Sequence, residues 1–320
     1  MPAARGRSAP AATAPAGATV TIDGVAVPAE AAVVSVFDRG FLYGDAVFET
    51  IRTYGGRPFE LEQHLARLAE SARRVYIPLP LSVAALGREV SEAVSRAGHP
   101  EAYVRVMVTR GAGEFGLSPG EAGAPLRVII VLPLVLPPPS AYAQGIDVVS
   151  FATRRAADAT DAQGAKVANY LVAVLAMRRA RAAGALEALV VDGAGNVVEG
   201  ATSNVFVLSR GELSTPPEEA GILVGITRAR VLEAARALEI PAKLRNISLG
   251  ELVASDEVFI SSSVREILPV VRVDGRVIGA GVPGPVTRRL HQRFREKVWE
   301  DMNLGGSPPR LDEPRDRGSA

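Results

Sequence analysis

The sequence has no cysteine, which excludes disulfides and thiolate-held metals and leaves the redox compartment open. Its three histidines, His64, His99 and His291, never come at metal-ligand spacing, so no metal site is expected. No apolar run approaches the roughly 20 residues that cross a membrane. Charges nearly cancel, at a formal net charge of +1, so neither a nucleic-acid nor an acidic partner is expected. The two common glycine-rich nucleotide loops, G-x-G-x-x-G after a strand and G-x-x-x-x-G-K-[ST], are missing. Lysine is the most informative scarcity. Of 36 basic residues only Lys166, Lys243 and Lys297 are lysines. Arginine does the ordinary cationic work here. A lysine therefore raises a chemical question, because it can lose its proton and become a nucleophile.

What is present is enough for a full core. The 320 residues are 48% hydrophobic, enough for one large domain or two ordinary ones. Residues 1–18 and 303–320 read as disordered tails. The first of them lacks an apolar leader, so a secretory signal is not expected and a cytoplasmic protein is. Between the tails, strand-like runs alternate with helices: a hairpin over 19–27 turning at Asp23-Gly24, strands at 33–36 and 46–54, and helices at 61–75 and 83–97. Strands follow at 103–109 and 127–132. The proline run at 136–140 excludes helix and central strand and reads as a linker, 136–144, between a small N-terminal unit (19–135) and a larger one (145–302). The larger unit opens with a strand at 146–151. A helix is expected from Val167 to Ala183, a hairpin at 188–198, a helix at 227–238 and a capping box at Ser248 and Glu251. The class is α+β, and the cleft between the two units is the expected ligand site.

Lys166 sits among small residues just before an apolar helix. A desolvated lysine loses its charge readily and becomes a nucleophile. The alternative is a solvated lysine at a helix start, but a cation there opposes the macrodipole. Lys243 and Lys297 read as ordinary surface cations. Glu199 ends a strand and precedes Gly200, where a carboxylate is usually solvated. Gly225-Ile226-Thr227 feeds a helix start that offers free N–H groups to an anion. Ser261-Ser262-Ser263 supplies hydroxyls, or simply a turn.

Five segments in this order resemble the fold-type IV pyridoxal-phosphate enzymes. They are Asp38-Arg-Gly-Phe-Leu-Tyr43-Gly44-Asp-Ala-Val-Phe-Glu49, His64-Leu-Ala-Arg67-Leu68, Lys166-Val-Ala-Asn169-Tyr170, Glu199-Gly-Ala-Thr-Ser-Asn204 and Gly225-Ile226-Thr227-Arg228. The family includes branched-chain and D-amino-acid aminotransferases and aminodeoxychorismate lyases, and the resemblance spans residues 19–298. It implies two domains of the D-amino-acid aminotransferase-like architecture, with pyridoxal 5′-phosphate in the interdomain cleft. By resemblance, Lys166 binds the cofactor covalently and moves the proton. Glu199 pairs with the pyridine nitrogen, and Tyr170 contacts the ring hydroxyl. Arg67, Ile226, Thr227 and Ser263 hold the phosphate. A homodimer is implied in the same way.

The loop from Val108 to Pro119 resembles the branched-chain pattern and lacks the Arg-x-His pair frequent in D-specific enzymes. The branched-chain enzymes usually show Phe-Glu-Gly-Ile-Arg and Gly-Thr-Ala-Ala, where this chain has Phe48-Glu49-Thr50-Ile51-Arg52 and Ser262-Ser263-Val264-Arg265. The expected reaction moves an amino group from a branched-chain or similar amino acid to a 2-oxo acid such as 2-oxoglutarate. D-amino-acid transamination, the lyase reaction and a degenerate binding protein are the alternatives. Tyr43, Tyr103, Arg105, Val264 and Arg265 are the candidate substrate residues. Tyr43 and Tyr103 read equally as packed aromatics, and Arg265 equally as half of a structural ion pair.

Overall fold

The computed structural model describes residues 14–118, 123–153 and 162–312. Two sheets organise the chain. The first contains β1 (Thr19–Ile22), β2 (Val25–Val27), β3 (Ala46–Tyr54), β4 (Arg57–Pro58), β5 (Ala102–Thr109) and β6 (Arg127–Pro133). Their order is β2-β1-β6-β5-β3-β4, antiparallel throughout. Asp23 and Gly24 both have positive φ, as the expected two-residue hairpin turn requires. A short helix α1 (Arg39–Tyr43) precedes β3. Helices α2 (Leu61–Arg74) and α3 (Val83–Ala97) cover one face of the sheet, burying Leu65, Leu68, Leu86 and Val90 against Val47, Ile51, Val104 and Val106. Gly98 closes α3 in the left-handed region.

The second unit begins with α4 (Pro139–Gln144) and β7 (Ile146–Ala152), followed by α5 (Leu171–Ala182), β8 (Glu187–Val191), β9 (Val197–Gly200), β10 (Asn204–Ser209) and β11 (Glu212–Thr215). Next come α6 (Ile226–Ala237), β12 (Ala242–Leu244), α7 (Leu249–Val253), β13 (Glu257–Ser262), β14 (Glu266–Val273), β15 (Arg276–Val277) and α8 (Pro285–Asp301). The strand order is β12-β11-β10-β13-β14-β7-β8-β9, with β15 paired to β14. Phe206 and Phe259 stack on the face covered by α6 and α8, and Val205, Val207, Val258 and Ile260 fill the opposite face.

Several expectations change. The 33–36 run forms no strand; Val33 and Val36 are well exposed. The proline run does not keep helix out of 136–140. Pro139 occupies the first position of α4, where the missing N–H has no partner to lose and φ is preset. Of the expected tails, residues 1–13 and 313–320 lie outside the described residues, as does Pro119 of the 108–119 loop. In 303–312, Leu311 is buried in the core, because an apolar side chain gains by burial even in a polar stretch. The helix expected from Val167 starts at Leu171.

Candidate active site

Residues 166–168 are held on the open edge of β3 by an isolated β-bridge. Phe48 N donates to the Lys166 carbonyl at 3.1 Å, and Ala168 N donates to the Ala46 carbonyl at 2.8 Å. Val167 bridges Val47, and Lys166 N donates to Ser71 Oγ at 3.0 Å. This edge pairing is why the helix starts late. It also replaces the dipole argument for Lys166: burial, not a helix end, is what acts on the amine. Nζ lies 4.6 Å from the centre of the Phe48 ring and 3.2 Å from the Tyr170 hydroxyl, to which it donates. Burial pulls its pKa from 10.5 down to about 8, with Glu49 and Glu199 opposing and Arg67 and Arg105 assisting. Burial also raises Tyr170 to about 12, so its hydroxyl keeps its proton.

Lys166 opens into a cleft of about 680 Å³ between the two sheets. Phe48 and Thr50 of β3 and Tyr103 and Arg105 of β5 form one wall. Glu199 at the end of β9, the 200–204 turn, the start of α6 and Ser261 to Arg265 form the other. Glu199 Oε2 accepts from Leu223 N at 3.0 Å, which ties the β9 end to the segment leading into α6. Gly225 caps α6 without a side chain. A Cβ there would lie 2.0 Å from Asn204 Oδ1, so close approach demands glycine. The Ile226 and Thr227 N–H groups at this helix start have no intrahelical acceptor. Ser261 Oγ is buried in the cleft wall and has no hydrogen-bond partner among the described residues.

Arg67 points to the cleft from α2 and is oriented by a group that sequence reasoning left without a role. Glu49 accepts from Arg67 Nε at 2.7 Å and Nη2 at 2.8 Å, and pairs with His64 Nδ1 at 2.8 Å. Arg67 Nη1 reaches the Val224 carbonyl at 2.8 Å. Burial opposes ionisation of Glu49, but the bonds from Arg67 and His64 outweigh it and hold its carboxyl at about 2. The available signal was phase: Val47, Glu49 and Ile51 share the core-facing side of β3, where a carboxylate requires a cationic partner.

Eleven of the twelve residues singled out from the sequence line this cleft: Lys166, Glu199, Arg67, Tyr170, Ile226, Thr227, Ser263, Tyr103, Arg105, Val264 and Arg265. Tyr43 does not. Its hydroxyl accepts from Gly116 N at 3.0 Å and its ring faces Phe115, because the short helix α1 carries it onto the 115–117 loop. Tyr103 meets Thr50 Oγ1 at 3.4 Å, and Arg105 stacks 4.0 Å over the Phe48 ring. Arg265 is engaged with buried Glu187 at 2.6 Å, which favours the structural ion pair over a free carboxylate ligand. Glu187 was missed in the sequence because it lies at the start of β8, amid apolar residues, with no motif around it. Among the described residues no group of His, Asp and Glu could hold a metal ion.

A cleft with a desolvated lysine, a carboxylate and an anion-binding helix start is the equipment of a pyridoxal-phosphate enzyme, and the amino-transferase class IV family model matches residues 46–273; the chain belongs to that family. It is 38% identical over 277 residues to a Methanocaldococcus jannaschii protein with the provisional name branched-chain-amino-acid aminotransferase, covering 87% of this chain and 95% of that one. It is 31% identical to the D-alanine aminotransferase of Bacillus licheniformis, over 84% of this chain and 93% of that one. A solved structure of the branched-chain aminotransferase from Thermoproteus uzoniensis superposes with a TM-score of 0.81 at 32% identity, covering 88% of this chain and 95% of that one. Class IV aminotransferases use pyridoxal 5′-phosphate. The residues present fit that group: an orphaned buried hydroxyl at Ser261, open N–H groups at α6, a tethered arginine and a lysine of lowered pKa.

Proposed function

We propose that this class IV aminotransferase moves the amino group of a branched-chain or similar amino acid to a 2-oxo acid such as 2-oxoglutarate. The single observation that carries the reading is Lys166, held at about 8 at the junction of both cleft walls. Bound pyridoxal 5′-phosphate supplies an aldehyde for the amino group and a ring that takes up the electron pair released at the substrate Cα. Arg67, the Ile226 and Thr227 N–H groups, the Thr227 hydroxyl and Ser263 hold its phosphate. Glu199 would keep a proton at the ring nitrogen, and Tyr170 would donate to the ring hydroxyl. Lys166 Nζ, neutral in a good fraction of molecules near its pKa, would take the Cα proton and deliver it to the carbon on the far side of the amino nitrogen, the one supplied by the cofactor's aldehyde. The Ser263 and Val264 amides have no protein acceptor among the described residues, and Arg105 makes no ion pair among them. These donors suit the substrate carboxylates.

A homodimer belongs to the same proposal. Phe41, Phe115 and Leu117 are each more than 60% exposed around Tyr43, and α5 leaves Leu171 and Val174 in solvent. Single apolar side chains at a surface are ordinary, but a cluster marks a contact site. Light scattering on the purified chain tests it. A cytoplasmic setting goes with this reading, and cell fractionation tests it. No helix of the described residues is long and apolar enough to cross a membrane.

The activity test offers leucine, D-alanine and aminodeoxychorismate in parallel, with 2-oxoglutarate as acceptor. Glutamate formed from leucine is the expected result. Turnover of D-alanine alone, or pyruvate release from aminodeoxychorismate, would refute it.

A further inference from the structure

The turn between β13 and β14 is fastened from three directions. Arg52 Nη1 donates to the Val264 carbonyl at 3.1 Å, and the Tyr142 hydroxyl donates to the Arg265 carbonyl at 3.3 Å. Both hold the turn from beneath. The third fastening is the Arg265 side chain. Its Nη2 lies 2.6 Å from Glu187 Oε2 and 2.7 Å from Thr202 Oγ1, and its Nε lies 3.2 Å from Ser262 Oγ. Thr202 Oγ1 also donates to Glu187 Oε2, at 2.9 Å. Thr202 belongs to the turn between β9 and β10, so the bridge joins the two turns that make one wall of the cleft. Glu187 has no solvent exposure. Withdrawing Arg265 toward a ligand would leave that carboxylate buried and unpaired, a strongly unfavourable state. Arg265 is thereby kept as a strut.

We infer that Arg265 is a positioning residue for substrate binding: through Glu187 and Thr202 it fixes the 263–265 turn so that the Ser263 and Val264 N–H groups meet the substrate carboxylate. The inference rests on the aminotransferase reading of the cleft. It differs from a general structural role, because it assigns the bridge chiefly to carboxylate recognition, the cofactor being reached only through Ser263, one phosphate ligand among several.

The test uses holoenzyme of the wild type, Arg265→Ala and Glu187→Gln. The probe is 4-methylpentanoate, which has a carboxylate and a branched chain but no amino group to react. Calorimetric titration measures its affinity, and cofactor absorbance during dilution measures cofactor retention. Arg265→Ala is expected to weaken the acid roughly ten- to hundredfold, the scale of a small misplacement of binding groups. Glu187→Gln keeps one acceptor and should weaken it in the same direction but less, and in both variants cofactor retention should fall by a much smaller factor than acid affinity, because Ser263 is one phosphate ligand among several. Should Arg265→Ala fail to fold, Glu187→Gln preserves side-chain volume and decides the matter alone. Unchanged acid affinity, or acid and cofactor affinities falling by the same factor, overturns the inference. A wild type that binds the acid but transaminates nothing would instead overturn the reading of the site as an aminotransferase, and the inference with it.

Discussion

Replacing Lys166 with methionine should stabilise the cofactor-free protein while abolishing its activity. Burial holds the amine at about 8, against an ordinary 10.5. That gap corresponds to about 3 kcal/mol against the folded state wherever the lysine is charged in both states. The figure is an upper bound, since the open cleft admits water to the amine. The sign follows from linkage. A lysine depressed on folding costs its full amount below pH 8, and the cost fades as pH rises from 8 to 10.5. Methionine fills nearly the same space without a charge, and loses the bond to Tyr170 and the cation–π contact with Phe48, together about 1 kcal/mol once its own sulfur–ring contact is counted. Denaturant titrations of both apoproteins at pH 7 and pH 10 give the comparison. Lys166→Met should be the more stable at pH 7, by on the order of 2 kcal/mol, and its advantage should shrink at pH 10. A variant equally or less stable at pH 7, or an advantage that ignores pH, would refute the claim that this amine is desolvated.

Three further outcomes follow from other parts of the structure. Glu199→Ala should retain bound cofactor, measured by absorbance, yet lose most of the transamination rate, roughly a hundredfold or more if it holds the ring-nitrogen proton. Glu266 sits fully buried between Arg52 and Arg295, with Tyr54 and His291 as further partners. Glu266→Gln should cost about 3–5 kcal/mol in denaturant titration, because it leaves buried arginines uncompensated. Gly225→Ala should weaken cofactor retention, since its Cβ must displace Asn204 and the α6 start.

The site was more legible than the details of the fold around it. Scarcity of lysine and the order of five motifs pointed to Lys166, Glu199 and Arg67, and those side chains do converge. Periodicity located β3, α2 and α3, whose apolar faces repeat regularly. It failed where tertiary pairing overrode local pattern. Residues 167–170 look helical, yet edge pairing with β3 holds the start of that run extended. Pro139 looked like a barrier and opens a helix instead. Tyr43 belonged to a motif, but a motif fixes chain position and not which way α1 turns a side chain. Glu49 and Glu187 escaped notice because each gets its meaning from a partner distant in sequence, Arg67 for one and Arg265 for the other.

With only three lysines in the sequence, the proposed bond between the Lys166 amine and the cofactor is unusually direct to check. Holoenzyme reduced with borohydride, digested and sequenced by mass spectrometry should carry the phosphopyridoxyl mass on Lys166 alone. The same mass on Lys243 or Lys297, or on no lysine of a protein that still transaminates, would contradict the account.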